Sequence, residues 1–113
     1  QIADLIREAA IEDVFEEVPH SIAVLIDEIS ERDKRVEGDT PFFDIHASII
    51  VERDSQKAII IGHKGERLKQ VGTVARGEIE KKLKARVFLG LHVKVMANWQ
   101  SDSKALLKLG FTR

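Results

Sequence analysis

The residues best placed to do chemistry lie in the segment Ile60-Ile61-Gly62-His63-Lys64-Gly65-Glu66-Arg67-Leu68. Two glycines three apart enclose a basic dipeptide. Apolar residues, Ile59 to Ile61, lead into the first glycine, and a helical pattern follows the second. Gly62 can take positive φ without strain, and Gly65 leaves no side chain in the way of a ligand. The loop ends at a helix N-terminus, where free N–H groups and the helix dipole favour an anion. Lys64, with Lys57, Arg67 and Lys69 nearby, adds positive charge. The chemistry on offer is the binding of a phosphate chain. A bare G-x-x-G is weak evidence, since a tight helix–helix turn can need glycine for shape alone. The basic pair, the apolar lead-in and the flanking strand patterns favour a functional loop.

No other constellation competes. The four histidines (20, 46, 63 and 92) lack any short metal-ligand spacing, so no metal site is expected. His46 and His92 fall on the polar side of strand patterns. Ser55 near acids and histidines is no catalytic triad, because nothing orders those groups, and a helix-capping role explains it. Glu12, Asp13, Glu16 and Glu17 read as a solvated helix end. Lys81, Lys82, Lys84 and Arg86 read either as a second phosphate-contacting surface or as a plain solvated face. No catalytic residue is assigned.

Composition frames these residues. At 113 residues the chain reads as one domain, with 43% hydrophobic and 33% charged residues, as in ordinary globular proteins. It starts at Gln1 and reads as part of something longer. No apolar run approaches the ~18–20 residues of a membrane span, and no signal peptide is visible. Zero cysteines exclude disulfides and thiol catalysis and fit a cytoplasmic location. The net charge of −1 hides an asymmetry. Residues 1–55 hold 15 Asp+Glu against 5 Lys+Arg, a balance of −10; residues 56–113 hold 4 against 13, a balance of +9. The changeover falls just before the glycine loop. A polyanionic partner for the basic half is implied.

The elements that must position the loop follow from periodicity. Residues 2–17 read as a helix with Ile2, Leu5, Ile6, Ala9 and Ala10 on one face, ended with the help of Pro19. Residues 22–32 read as a strand: Ile22, Val24 and Ile26 alternate, then the phase slips to Ile29, as a β-bulge produces. Residues 34–40 (KRVEGDT) form a polar turn. Residues 42–53 are the clearest strand, with Phe43, Ile45, Ala47, Ile49 and Val51 facing one way. Ser55 caps a short helix over 56–61. A long helix over 66–84 carries the stripe Leu68, Val71, Ala75, Ile79 and Leu83. Gly72 and Gly77 sit inside it, each costing up to ~1 kcal/mol relative to Ala, which close packing on the sheet would offset. Residues 86–96 form a third strand with Val87, Leu89, Leu91, Val93 and Val95 inward. Gly90 points outward where another backbone approaches. Residues 102–109 form a final helix. The order α-β-β-α-α-β-α predicts an α+β domain. Its mixed three-stranded sheet has helices on one face and solvent on the other, with strands two and three parallel.

With these elements in place, the G-x-x-G loop between two helices, Ile-Ile before it and Leu68 after it, resembles a KH domain. That class clamps about four single-stranded nucleotides with such a loop. Two strands before the helix pair and one after resemble the type II KH arrangement. The strings VERDSQKAIIIG (51–62), VGTVAR (71–76) and RVFLGLHVKV (86–95), together with Glu17 to Ser21, Trp99 and Leu109-Gly110, extend the likeness over nearly the whole chain. They resemble the C-terminal RNA-binding domain of the Era family of bacterial GTPases.

The resemblance implies binding to the 3′ end of small-subunit (16S) ribosomal RNA during assembly of the small ribosomal subunit. It also implies a GTPase domain upstream, where GTP and Mg would bind, and peripheral membrane association as an option for that parent alone. No G-x-x-x-x-G-K-[ST] loop occurs in these 113 residues, so neither a cofactor nor nucleotidase activity is expected here. No small-molecule substrate and no obligatory membrane partner are expected either. The RNA-binding residues predicted are Arg53, Lys57, Ile60, Ile61, Gly62, His63, Lys64, Gly65, Arg67 and Lys69. In this reading the N–H groups of Gly62 to Gly65 and the Lys64 ammonium meet phosphates. Ile59, Ile60 or Ile61 floors the bases, and the strand around Ile49 to Arg53 reads base edges. With no Tyr, one Trp and five Phe, aromatic stacking is expected to be minor.

Two departures stand out. Many relatives carry two lysines between the glycines, whereas His63 takes the first place here. Histidine has a reference pKa of ~6.5, so RNA affinity is expected to rise toward pH 6. The 34–40 turn is also longer than usual. Two other classes stay open at this level: a helix-turn-helix DNA binder, and a KH-like interaction or regulatory module without RNA binding.

Overall fold

The computed structural model describes residues 2–12, 22–33, 38 and 40–97. Helix α1 (Ile2–Ile11) leads to strands β1 (Ala23–Glu31) and β2 (Phe42–Val51). Helix α2 (Asp54–Ile61) follows, then a single 3-10 turn (His63–Gly65), helix α3 (Glu66–Leu83) and strand β3 (Arg86–Val95). The expected extension of the first helix to residue 17, most of the 34–40 turn and the final helix lie outside the described residues.

The sheet has the order β1-β2-β3, with β1 antiparallel and β3 parallel to β2. This is the predicted α+β architecture. The bulge expected in β1 falls at Asp27: Ile26 pairs with Ala47 and Glu28 with His46, leaving Asp27 as the extra residue. That extra residue receives the hydroxyl of Ser48, which is fully buried on β2 and donates to the Asp27 carboxylate at 2.7 Å. The bulge thus satisfies a polar group that would otherwise be stranded in the sheet.

The core forms where the period-two faces of the strands meet the period-3.6 stripes of the helices. Ile45, Ala47, Ile49 and Val51 of β2 pack with Val87 and Val93 of β3 against Val71, Ala75 and Ile79 of α3. Ile6 and Ala10 of α1 and Ile60 of α2 close the cluster. The opposite sheet face is not wholly solvated as expected. Ala23 and Ile50 are buried there in a second, smaller cluster with Leu25 and Met96.

Three local expectations are corrected. Helix α2 begins at Asp54 with Arg53 as its cap, so Ser55 lies in the first turn and is not the cap. Gln56 does the capping work: its Oε1 accepts the N–H groups of Glu52 (2.9 Å) and Arg53 (3.0 Å). Gly90 is approached by the His46 imidazole and not by another backbone: a Cβ there would lie 2.9 Å from His46 Nδ1. Nor does tight packing require the helical glycines. A Cβ at Gly72 would meet Leu91 at an ordinary 3.7 Å, and one at Gly77 would meet nothing within 4 Å.

Candidate nucleic-acid interface

The loop is set by α2 ending and α3 starting within four residues. Gly62 donates its N–H to the Ala58 carbonyl (2.9 Å), closing α2. Its backbone sits at φ 76°, ψ −178°, a region open essentially to glycine alone. A Cβ there would also fall 2.6 Å from the Cβ of Arg67. Gly65 donates to the Gly62 carbonyl (3.2 Å), and Glu66 donates to His63, which locks the turn. Lys64 is held in left-handed backbone (φ 54°, ψ 26°), which costs a residue with a Cβ about 1–2 kcal/mol.

This geometry revises which N–H groups face outward. Those of Gly62 and Gly65 are engaged inside the turn. Those of His63 and Lys64 find no acceptor among the described residues, and both residues are exposed. The loop therefore presents two adjacent N–H donors and two basic side chains at its tip, an anion-binding arrangement.

From this tip a groove of about 600 Å³ runs between α3 and the free edge of β3. Gly65, Leu68, Lys69, Gly72, Thr73 and Arg76 form the helix wall. Val87, Phe88, Leu89 and Leu91 form the strand wall, and Phe42 contributes at the far end. The strand wall carries free backbone groups. Arg86 and Met96 donate N–H groups toward β2, to the carbonyls of Pro41 (2.9 Å) and Val51 (2.7 Å). In a parallel ladder the alternate residues then point theirs outward, and Val87 does so, donating to Glu80 Oε2 at 2.9 Å. By the same alternation Leu89 and Leu91 offer their N–H and C=O groups to the groove rim. Glu80 closes this edge at one end and pairs with Arg76 at 3.6 Å.

The predicted site residues separate accordingly. Gly65 and Lys69 line the groove, and His63 and Lys64 stand exposed at its mouth. Ile60 is fully buried in the core and has no surface to offer a base; Ile59 and Ile61 pack against the same core and are half-buried. Ile49, Ile50 and Val51 are likewise buried on the central strand, whose two edges are both paired, and the strand edge beside the groove is that of β3. Arg53 is exposed beside α2, and Lys57 is half-buried on it. Arg67 lines a cleft shared with Ala9 and Ala10 of α1 and with Glu12 just past its end, on the other side of α3. Leu68, Gly72, Thr73 and Arg76 escaped the sequence reading as a site, although their spacing places them with Lys69 on one helix face. Among the described residues no His/Cys/Asp/Glu group could hold a metal, and no helix is long and apolar enough to cross a membrane.

A family model described as KH domain matches residues 17–100. The chain belongs to the KH domain family. Among curated relatives, the GTPase Era of Mycobacterium avium is 56% identical over 110 residues, covering 97% of this chain and 36% of that protein. The GTPase Era of a Nocardioides species is 54% identical, covering 96% and 34%. The KH chain thus spans about a third of the length of these relatives. Solved structures agree. Era of Aquifex aeolicus bound to GDP·AlF4− matches with a TM-score of 0.88 at 40% identity, over 99% of this chain and 36% of that one. Era in complex with MgGDPNP and nucleotides 1506–1542 of 16S ribosomal RNA matches with a TM-score of 0.86, at the same identity and coverage. The type II strand placement expected for a KH domain is the one observed.

Proposed function

We propose that this domain binds single-stranded RNA in the α3–β3 groove, specifically the 3′ end of small-subunit 16S ribosomal RNA, and serves small-subunit assembly as a module of an Era-type GTPase. One observation carries the reading: a structure of the same fold, matched over 99% of this chain, is that of Era with nucleotides 1506–1542 of 16S RNA. The geometry supports it. Phosphates meet the N–H groups of His63 and Lys64 and the Lys64 ammonium. Lys69 and Arg76 line the path that follows. Bases lie on Leu68, Gly72, Leu89 and Leu91, with the outward N–H and C=O groups of Leu89 and Leu91 against their edges. From Gly65 to Arg76 the helix rises about 16 Å, a span matching the roughly four nucleotides a KH domain clamps. The domain binds and positions RNA without catalysing a reaction; GTP chemistry belongs to another part of such a GTPase.

The test is fluorescence anisotropy with labelled RNA copying the 16S 3′ end. A scrambled RNA, duplex DNA and the His63→Asp/Lys64→Asp variant run alongside over a salt series. Preference for the ribosomal sequence, with at least tenfold weaker binding by the variant, is expected. The salt dependence should also become shallower, by about 0.7 in log–log slope for each phosphate the variant no longer neutralises. Binding unchanged by the variant would refute the loop as clamp. Preference for duplex DNA would restore the helix-turn-helix reading. Absence of all nucleic-acid binding would leave an interaction module.

A further inference from the structure

The groove does not end among aliphatic side chains. Phe42 and Phe88 line its far end, past Arg76, and both belong by register to the sheet face turned from the helices. Phe88 is 47% exposed, an unusual state for so large an apolar ring, and it stands on the edge strand. On one side the His46 ring lies tilted at 5.8 Å between centroids. Next along the same face comes Gly90, which adds no side chain to cover it. Phe42 carries two guanidinium groups, Arg32 at 3.9 Å and Arg86 at 4.9 Å from its centroid. Arg32 is paired with Asp44, whereas Arg86 has no carboxylate partner among the described residues. An exposed ring beside an unpaired guanidinium, continuous with a groove walled by Lys69 and Arg76, has the makeup of a stacking platform for an unpaired nucleobase. The ring takes the face of the base and the cation takes its phosphate. An apolar peptide would cover the ring and leave Arg86 unanswered.

We propose that Phe88 stacks one further base of the bound RNA, beyond those held between the G-x-x-G loop and Arg76, with Arg86 on the adjoining phosphate. This rests on the RNA-binding reading above. It reverses the expectation that aromatic stacking is minor, because that expectation counted aromatic residues without knowing where they stand. The experiment measures equilibrium binding of the chain to a groove-length tetranucleotide from the 16S 3′ end and to the same RNA extended by two nucleotides at its 5′ or its 3′ end. Phe88→Ala and Phe88→Trp are compared with the wild type. One of the two extensions should tighten wild-type binding about 5- to 150-fold, the usual range for a base stacked on an aromatic side chain. Measured against its own tetranucleotide affinity, Phe88→Ala should lose that gain, and Phe88→Trp should keep it. An abasic site in the extension should remove the gain from the wild type. An equal gain in wild type and Phe88→Ala, or none in either, overturns the platform and leaves the groove reading intact. Failure of the wild type to bind any of the RNAs overturns both.

Discussion

Two glycines of one motif do different work, and the difference is measurable. Gly62 is required twice over: its backbone region excludes side chains, and a Cβ there would strike the stem of Arg67, which cannot swing away. Gly65 lies in ordinary left-handed backbone, and a Cβ added there would meet nothing within 4 Å. Gly62→Ala is therefore expected to cost more than the ~1–3 kcal/mol of the backbone region alone, because the clash adds to it. Gly65→Ala should cost only about 1–2 kcal/mol. Urea unfolding of both variants ranks them, and a Gly65 cost equal to or above that of Gly62 would refute the assignment. The glycine spacing was legible in sequence; the division of labour was not, since it depends on where the Arg67 stem falls. Lys64 adds a related point. A residue with a Cβ is kept in left-handed backbone at the tip of the loop proposed to bind RNA, and strain of this kind is commonly functional.

At the scale of elements, α3 presents two faces with different tasks. Val71, Ala75 and Ile79 build the core, and the apolar period announced them from sequence. The adjoining stripe of Lys69, Gly72, Thr73 and Arg76 walls the groove, and no hydrophobic pattern marks it. The β strands show the same limit. Alternation identifies which residues of β2 and β3 face the helices, but not which strand is central. It therefore points base reading to Ile49–Arg53, whereas the free edge belongs to β3. The two glycines of α3 test the division. Gly72 and Gly77 both have room for a methyl group, so alanine at either should stabilise the helix by up to about 1 kcal/mol. Only Gly72 lines the groove. Gly72→Ala should thus weaken RNA binding while raising the unfolding midpoint, whereas Gly77→Ala should raise the midpoint and leave binding alone. Equal RNA affinities for the two variants would show that the groove floor is not where the bases lie.

Across the whole molecule, the charge changeover seen in sequence becomes spatial: acidic residues gather on α1 and β1, and the basic half builds the loop, the groove wall and the edge strand. Element order and apolar faces made this architecture legible, because each strand and helix obeys one period. The cluster around Phe42 was not legible, since Arg32, Phe42, Asp44 and Arg86 come together only when three strands align. Arg32, just past β1, hydrogen-bonds both carboxylate oxygens of Asp44 on β2, at 2.7 and 2.8 Å, while also stacking on Phe42. Arg86 of β3 reaches the same ring. The Arg32 hydrogen bonds, with the charges of Arg32 and His46 adding to them, hold the Asp44 carboxyl below the usual carboxylate range. A carboxyl that resists protonation in the folded state favours folding wherever it is ionised. The contribution is full above the unfolded value, ~3.9 for Asp, and is lost as the pH falls through the lower folded value. Asp44→Asn removes the linkage. The variant should unfold at lower urea concentration than the wild type at pH 7, and the gap should close progressively as the pH is taken below about 4. A gap that stays constant down to about pH 2 would show that the Arg32–Asp44 pair contributes through packing of the strands and not through its charge.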